Sequence, residues 1–232
     1  MLDVYFAATP NGMKIKLFLE ELAERGVPLP HRLVPVRLSK GEQFRPAFLA
    51  ISPNAKIPAI VDHDPPDGGE PLAMFESGAI LQYLADKTGE MLSRDLRVRA
   101  QTLQWLQWQM AGLGPMAGQA GWFRVYAPQR DAFAIERYTR ETGRLYGVLD
   151  RHLADRRFIA GEDLSIADIA CWPWIVSHAG HGQSLEDLPH LSRWFRDIAD
   201  RPATRRAFAG YEDPYAAGAG PAVATATDGV AA

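Results

Sequence analysis

Along the first part of the chain the spacing of apolar positions changes several times, and each change marks an element. Leu2 to Ala7 is a short β-type run, and TPNG (residues 9–12) breaks it. From Met13 the period becomes helical: Ile15, Phe18, Leu19 and Leu22 fall at i, i+3, i+4 and i+7. Gly26 and Pro28 end that helix. His31 to Val36 predicts a second strand, and Pro35, which has no N–H to give a neighbour, suggests a sheet edge. GEQFRPAFLAISP (41–53) predicts a short helix bounded by Pro53. IPAIVD (57–62) and LAMF (72–75), joined by the turn-forming DPPDGGEP (64–71), predict a hairpin. A further helix is expected to begin at a Ser77 N-cap and to carry Ile80, Tyr83, Leu84 and the stem of Lys87 on one side.

The order β-α-β-α-β-β-α over residues 1–88 is the thioredoxin-like plan. After Gly89 the composition changes and no strand pattern follows. Leu92 to Asp95 reads as a linker. Leu103, Leu106, Met110 and Leu113 form one helical seam, and Leu145, Val148, Leu149 and His152 form another. SIADIACWPW (165–174) opens a third helix, with Ser165 and Asp168 as a capping-box-like pair. LPHLSRWFRDIADRP (188–202) is a fourth, and Pro202 starts a short last one. The expected fold is an α/β thioredoxin-like N-terminal domain (1–88) joined to an all-α C-terminal domain (95–211). A tail of small residues (216–232) is expected to be disordered.

Composition narrows the function. The chain has 232 residues, 47% of them hydrophobic, and a formal charge of -3, with no basic excess to drive nucleic-acid binding. No apolar run approaches the roughly 20 residues that cross a bilayer, so no membrane role is expected. The N-terminus lacks the basic and long apolar regions of a signal peptide. Cys171 is the single cysteine, which excludes an internal disulfide, a CxxC redox motif and a cysteine-rich zinc site. A reducing cytoplasm is the expected address. The six histidines show no metal-ligand spacing, so no metal is expected, and the six tryptophans read as core and cleft walls.

Three short segments carry candidate chemistry, each beside a plainer reading. In KIPAI (56–60), Ile57-Pro58 opens a buried strand and is a candidate cis-proline. A cis bond there turns the backbone of Ile57 outward, where it can pair with an extended peptide. The plainer reading is a trans-proline at a strand start. In FESGAI (75–80), Ser77 at a helix N-terminus suits a carboxylate and Glu76 an ammonium, together an α-amino acid head group. The alternative is an ordinary capped helix. In TPNG, the Thr9 hydroxyl and the Asn11 amide can donate to a thiolate and favour its ionised form. The alternative is a turn with a helix cap.

The three segments fall in order along one site, and with SIADIA they resemble the glutathione transferase superfamily over nearly the whole chain to about Tyr211. YFAATPNGMKI, GEQFRPAFLAISPNAKIPAIVDHDPPDGGEPLAMFESGAILQYLA, LQWLQWQMAGLGPM and AIERYTRETGRLY look like its bacterial nu-class.

The resemblance implies the following roles. Thr9 and Asn11 face one or two glutathione sulfurs. Gln43, Lys56, Ile57 and Pro58 bind the tripeptide, Ile57 through the cysteinyl backbone. Glu76 and Ser77 hold the γ-glutamyl end, and Arg137 reaches a glutathione carboxylate, although from the residues alone it reads as a helix-surface arginine paired with Glu136 or Glu141. Ser165 and Asp168 cap a helix and serve folding. Cys171, inside that helix's apolar run, reads as buried and inert, the alternative being a reactive thiol. The implied activity is reduction of small disulfides at the expense of glutathione as co-substrate, with weak transferase or peroxidase activity, in a homodimer. Glutathione supplies both sulfurs, so a chain without a usable thiol suffices. Two alternatives stand beside it. One is conventional conjugation or dehalogenation of electrophiles, in a cleft between TPNG and residues 122–130. The other is a glutathione-binding regulator without turnover.

Overall fold

The computed structural model describes residues 1–216; the expected tail lies outside the described residues except for Ala216. The first half comprises β1 (Leu2–Phe6), α1 (Pro10–Glu24), β2 (His31–Pro35), α2 (Pro46–Leu49), β3 (Ala59–Asp62), β4 (Leu72–Phe75) and α3 (Ser77–Thr88). The strands lie in the order β2-β1-β3-β4. β1 runs parallel to β2 and antiparallel to β3, which pairs antiparallel with β4. β2 is an edge strand, the position Pro35 tolerates. This is the expected thioredoxin-like half.

The second half is helical: α4 (Leu96–Trp108), α5 (Gly114–Gly121), α6 (Ala132–His152), α7 (Ile166–Val176), α8 (Pro189–Ala199) and α9 (Pro202–Ala207). π-helical turns at Gln109–Leu113 and Trp122–Tyr126 join α4 to α5 and extend α5.

Three boundaries differ from the sequence reading. α1 starts at Pro10, not Met13. Thr9 is its N-cap, accepting from Gly12 N at 3.3 Å, and Pro10 sits where a missing N–H costs nothing. Gly12 is required there, because a Cβ would lie 2.0 Å from Ala7 O. Residues 41–53 are not one helix: Pro46 holds Arg45 extended, so 3-10 turns at Leu38–Lys40 and Glu42–Phe44 precede the four residues of α2. Ser77 is not a cap. Glu76 holds the N-cap position with φ 71°, makes no side-chain cap bond, and leaves Ser77 as the first helical residue.

One hydrophobic core runs through both halves, from Val4, Phe18 and Leu84 to Tyr146, Ile169 and Trp194. The expected linker takes part in it: Leu92 is buried, as is the preceding Met91, whose carbonyl accepts from Ile166 N at 3.0 Å. Buried charge fastens the same seam. Glu21 of α1 is fully buried and accepts from Arg201 Nε and Nη2 at 2.6 and 2.7 Å, just before α9. In the helical half Ser165 and Asp168 form a capping box at the start of α7. The fully buried Asp168 carboxylate accepts from Ser165 N and Oγ, Ile159 N and Trp194 Nε1, tying α7 to a loop and to α8. The two halves are thus held in one relation, and the groove between them has fixed walls.

Candidate active site

That groove is a cavity of about 530 Å³. Its N-terminal side presents Thr9, Asn11, Gln43 and Ile57, and its helical side presents Trp122, Trp174 and Tyr215. A smaller cavity of about 230 Å³ adjoins it, sharing Asn11, Lys56 and Ile57 and reaching Pro58, Glu76 and Ser77. Every residue expected from TPNG, KIPAI and FESGAI to bind one ligand therefore borders one or both of two adjoining cavities.

Local folding sets each group. Thr9 Oγ1 accepts from Gly12 N, so its hydroxyl proton is left for another acceptor. Asn11 Oδ1 accepts from Trp174 Nε1 at 3.1 Å, so the amide nitrogen is the half left to donate. The Ile57-Pro58 bond is cis. β3 begins only at Ala59, and neither N–H nor C=O of Ile57 pairs with another backbone group among the described residues. Gln43 is buried, yet neither its Oε1 nor its Nε2 has a partner among the described residues. Its turn is fixed by the neighbouring Glu42 carboxylate, which accepts from Arg37 N and Arg37 Nε at 2.8 Å each. The Arg37 guanidinium and backbone bonds draw the Glu42 carboxyl down to about 2. Glu76 is exposed, and its positive φ is the kind of backbone cost that concentrates at functional sites.

Arg137 is not brought to these cavities. It is exposed on α6 and lines a separate depression with Met116, Tyr138, Arg140 and Glu141. Within residues 122–130, only Trp122 lines the larger cavity; Trp174 and Tyr215 complete the wall instead. Cys171 is fully buried in α7, and burial pushes its thiol well above the ordinary range. His181 is also fully buried, against Trp174 and Tyr215, and burial holds it neutral, down to about 3. Among the described residues no cluster of His, Cys, Asp and Glu is gathered as a metal site, and no helix is long and apolar enough to cross a membrane.

The family description "Glutathione S-transferase, N-terminal domain" matches residues 10–87, and "Glutathione S-transferase, C-terminal domain" matches residues 113–202. Disulfide-bond oxidoreductase YfcG of Escherichia coli (strain K12) is 58% identical over 207 residues, covering 89% of this chain and 94% of that protein. The chain belongs to the glutathione S-transferase family. A glutathione transferase family member from Pseudomonas fluorescens pf-5, solved with two glutathione bound, matches with TM-score 0.82 and 42% identity, over 89% of this chain and 91% of that one. The glutathione transferase from Pseudomonas putida, solved with one glutathione disulfide per subunit, matches with TM-score 0.83 and 41% identity, over 90% of each chain.

Two features of this transferase's site went unread in the sequence. Lys14 is fully buried behind Ser77 and donates to Ser77 Oγ at 3.1 Å. Its signal was there: Lys14 and Glu21 stand seven apart among the apolar residues of α1, on the buried face. Tyr215 gave no signal, because it follows Pro214 beyond the last periodic segment.

Proposed function

We propose that this transferase is a glutathione-dependent disulfide-bond reductase that works by exchange between glutathione sulfurs. The carrying observation is a cleft with donors arranged for a sulfur, in a chain whose one thiol is sealed inside α7. Residues 1–88 act as the glutathione-binding domain and residues 95–211 supply the facing wall, with Tyr215 added to it. The unpaired N–H and C=O of Ile57 form a strand-like pair with the cysteinyl residue, flanked by Lys56 and Pro58. Glu76 meets the γ-glutamyl ammonium, and Ser77 with the N-terminus of α3 meets its carboxylate. Gln43 gives its two unpartnered amide atoms to the tripeptide. Thr9 and Asn11 donate to the sulfur.

A glutathione thiolate attacks one sulfur of the substrate disulfide, forming a mixed disulfide and expelling one substrate thiolate. A second glutathione thiolate then attacks the glutathione sulfur of that mixed disulfide. Glutathione disulfide forms, the second substrate thiolate leaves, and both leaving thiolates take a proton. Two charge-assisted hydrogen bonds, each about 1.5 kcal/mol, lower a thiol pKa by about two units. From about 8.5 that raises the thiolate fraction at pH 7 about 25-fold. The accompanying loss of nucleophilicity is about 8-fold, so activation alone nets about threefold. Holding both sulfurs in one cleft therefore carries more of the acceleration. The apolar Trp122 and Trp174 walls suit the organic part of a small disulfide or electrophile.

Arg137 lies in a different depression of its own chain, so its contact with a glutathione carboxylate is assigned to the tripeptide of a second copy, in a homodimer. Glutathione as co-substrate and the absence of an accessible protein thiol suit a reducing cytoplasm.

Rates decide among the readings. Fast glutathione-dependent reduction of hydroxyethyl disulfide, with slow conjugation of an aryl halide, is the expected result. The reverse ratio assigns the cleft to conjugation or dehalogenation. Calorimetric binding of reduced and oxidised glutathione with neither reaction assigns a regulator.

A further inference from the structure

Lys14 stands in the first turns of α1 with its side chain fully buried. Its ammonium donates to Ser77 Oγ at 3.1 Å, Gln109 Oε1 at 2.6 Å and Met110 Sδ at 3.4 Å. All three acceptors are neutral, and no carboxylate among the described residues makes an ion pair with it. Two turns along the same face, the equally buried Glu21 does have its counter-ion in Arg201. A buried ion without opposite charge is strongly disfavoured. Ser77, the group Lys14 touches, lies at the N-terminus of the twelve-residue α3 and borders the smaller cavity. The first N–H groups of that helix have no acceptor within it, and Glu76 does not cap them.

We propose that Lys14 is a positioning residue for the ligand carboxylate at the N-terminus of α3: it occupies a lone pair of Ser77 Oγ, and the hydroxyl proton, which here meets Met110 Sδ at 3.5 Å, turns from that weak acceptor to the carboxylate, which in turn supplies the missing counter-charge. This rests on the reading of the site as a glutathione site. Ligand binding and the charge of Lys14 are then coupled. Burial, partly offset by the Glu76 carboxylate before α3, brings the ammonium down to about 7, and the neighbouring Cys171 of α7 stays a neutral thiol. From the turn after α4 it faces only the neutral Gln109 and Met110. A bound carboxylate one hydroxyl away adds to the upward pull.

The test uses S-methylglutathione, which has no thiol proton to confuse the count. It is titrated calorimetrically into the ligand-free protein at pH 8, in phosphate and in Tris, whose ionisation heats differ. If the ligand raises Lys14 by about two units, wild type takes up about 0.8 proton per site. Lys14→Met takes up none and binds S-methylglutathione at least tenfold more weakly. It binds the analogue with 4-aminobutyrate in place of γ-glutamate, which lacks this carboxylate, within twofold of wild type. Binding by wild type without proton uptake overturns the role of Lys14 alone, whether or not the variant folds. Equal weakening toward both ligands also overturns it. A wild-type protein that gives no heat in either buffer overturns the glutathione site itself.

Discussion

Trp174 Nε1, from the helical half, donates to Asn11 Oδ1 in the first turn of α1 at 3.1 Å. The bond spans the groove and fixes which end of the Asn11 amide faces a ligand. An amide free to flip presents its oxygen half of the time, and an oxygen repels a thiolate. Trp174→Phe keeps most of the ring and removes the donor. The expected outcome is a fall in kcat/KM for disulfide reduction of about 3- to 10-fold, the worth of about one hydrogen bond. Glutathione affinity should stay within twofold, because the tripeptide backbone is held elsewhere. A variant with unchanged kcat/KM breaks the link between this bond and the sulfur.

Thr9 and Asn11 together are expected to matter more to rate than to folding. Thr9→Ala removes an N-cap, worth about 1 kcal/mol of stability. The double alanine variant loses the thiolate donors and, with them, the hydrogen bonds that aim the attacking glutathione sulfur at the disulfide. We expect kcat/KM to fall at least tenfold at pH 7, and the acid limb of its pH profile to move up toward about 8.5, the ordinary thiol value. Stopped-flow rates across pH, beside urea unfolding, separate the two effects. An unmoved acid limb assigns these residues to capping alone.

The places where the sequence was readable and where it was not follow from the physics of each residue. The hairpin of β3 and β4, the proline that opens it and the long helices were legible because each has a local signature: alternation, a breaker, or a 3.6 period. Ser77 was misplaced by one residue because a serine beside a glutamate looks like a cap. Only the backbone reveals that Glu76 takes φ 71° and occupies that position. Residues 41–53 were read as one helix because Pro46 is tolerated at a helix start as easily as it marks a break. Lys14 does stand on the apolar face of α1, but a lysine there normally reaches out to solvent, and the acceptor that keeps it inside, Gln109, lies 95 residues away. Such pairs are set by tertiary packing, which no local pattern encodes.

Cys171→Ala is expected to leave turnover within twofold of wild type. The thiol is fully buried, and burial keeps it protonated. Alanine is the better substitution for this purpose, because serine buries a hydroxyl at a cost of about 1–3 kcal/mol where it finds no partner. Iodoacetamide should label wild type only after unfolding. Loss of activity in a folded Cys171→Ala protein means that the chain contributes a sulfur after all.

Tyr215 is held in the wall by glycines. A Cβ on Gly121 would lie 2.4 Å from the Tyr215 ring, and one on Gly180 would lie 2.4 Å from its carbonyl oxygen. Ser177 Oγ donates to Asp213 Oδ1 at 2.6 Å and anchors the segment just before it. Gly121→Ala should push Tyr215 out and act like Tyr215→Ala. In both, the ratio of kcat/KM for a bulky aromatic disulfide over hydroxyethyl disulfide should rise severalfold. If both variants keep the wild-type ratio, Tyr215 does not set the size of the substrate.

Lys14 also gives the ligand-free protein a signature in its stability. Its ammonium releases the proton near 7 when folded, against 10.5 for the ordinary side chain of the unfolded chain. Below pH 7 both states are protonated, so the cost of burying the charge is present in full and does not vary with pH. Between those values the unfolded chain holds a proton that the folded one has lost, so stability must rise with pH, by up to about 1.4 kcal/mol per unit. The effect runs opposite to that of a lysine held by a carboxylate, whose raised value makes stability fall at high pH. Urea unfolding of wild type and Lys14→Met at pH 7, 8 and 9 isolates the contribution, because the other groups titrate in both proteins. The wild-type slope should exceed that of the variant, and S-methylglutathione should flatten the difference by returning the counter-charge. Equal slopes without ligand would mean that the ammonium keeps its proton throughout, with some other group compensating its charge.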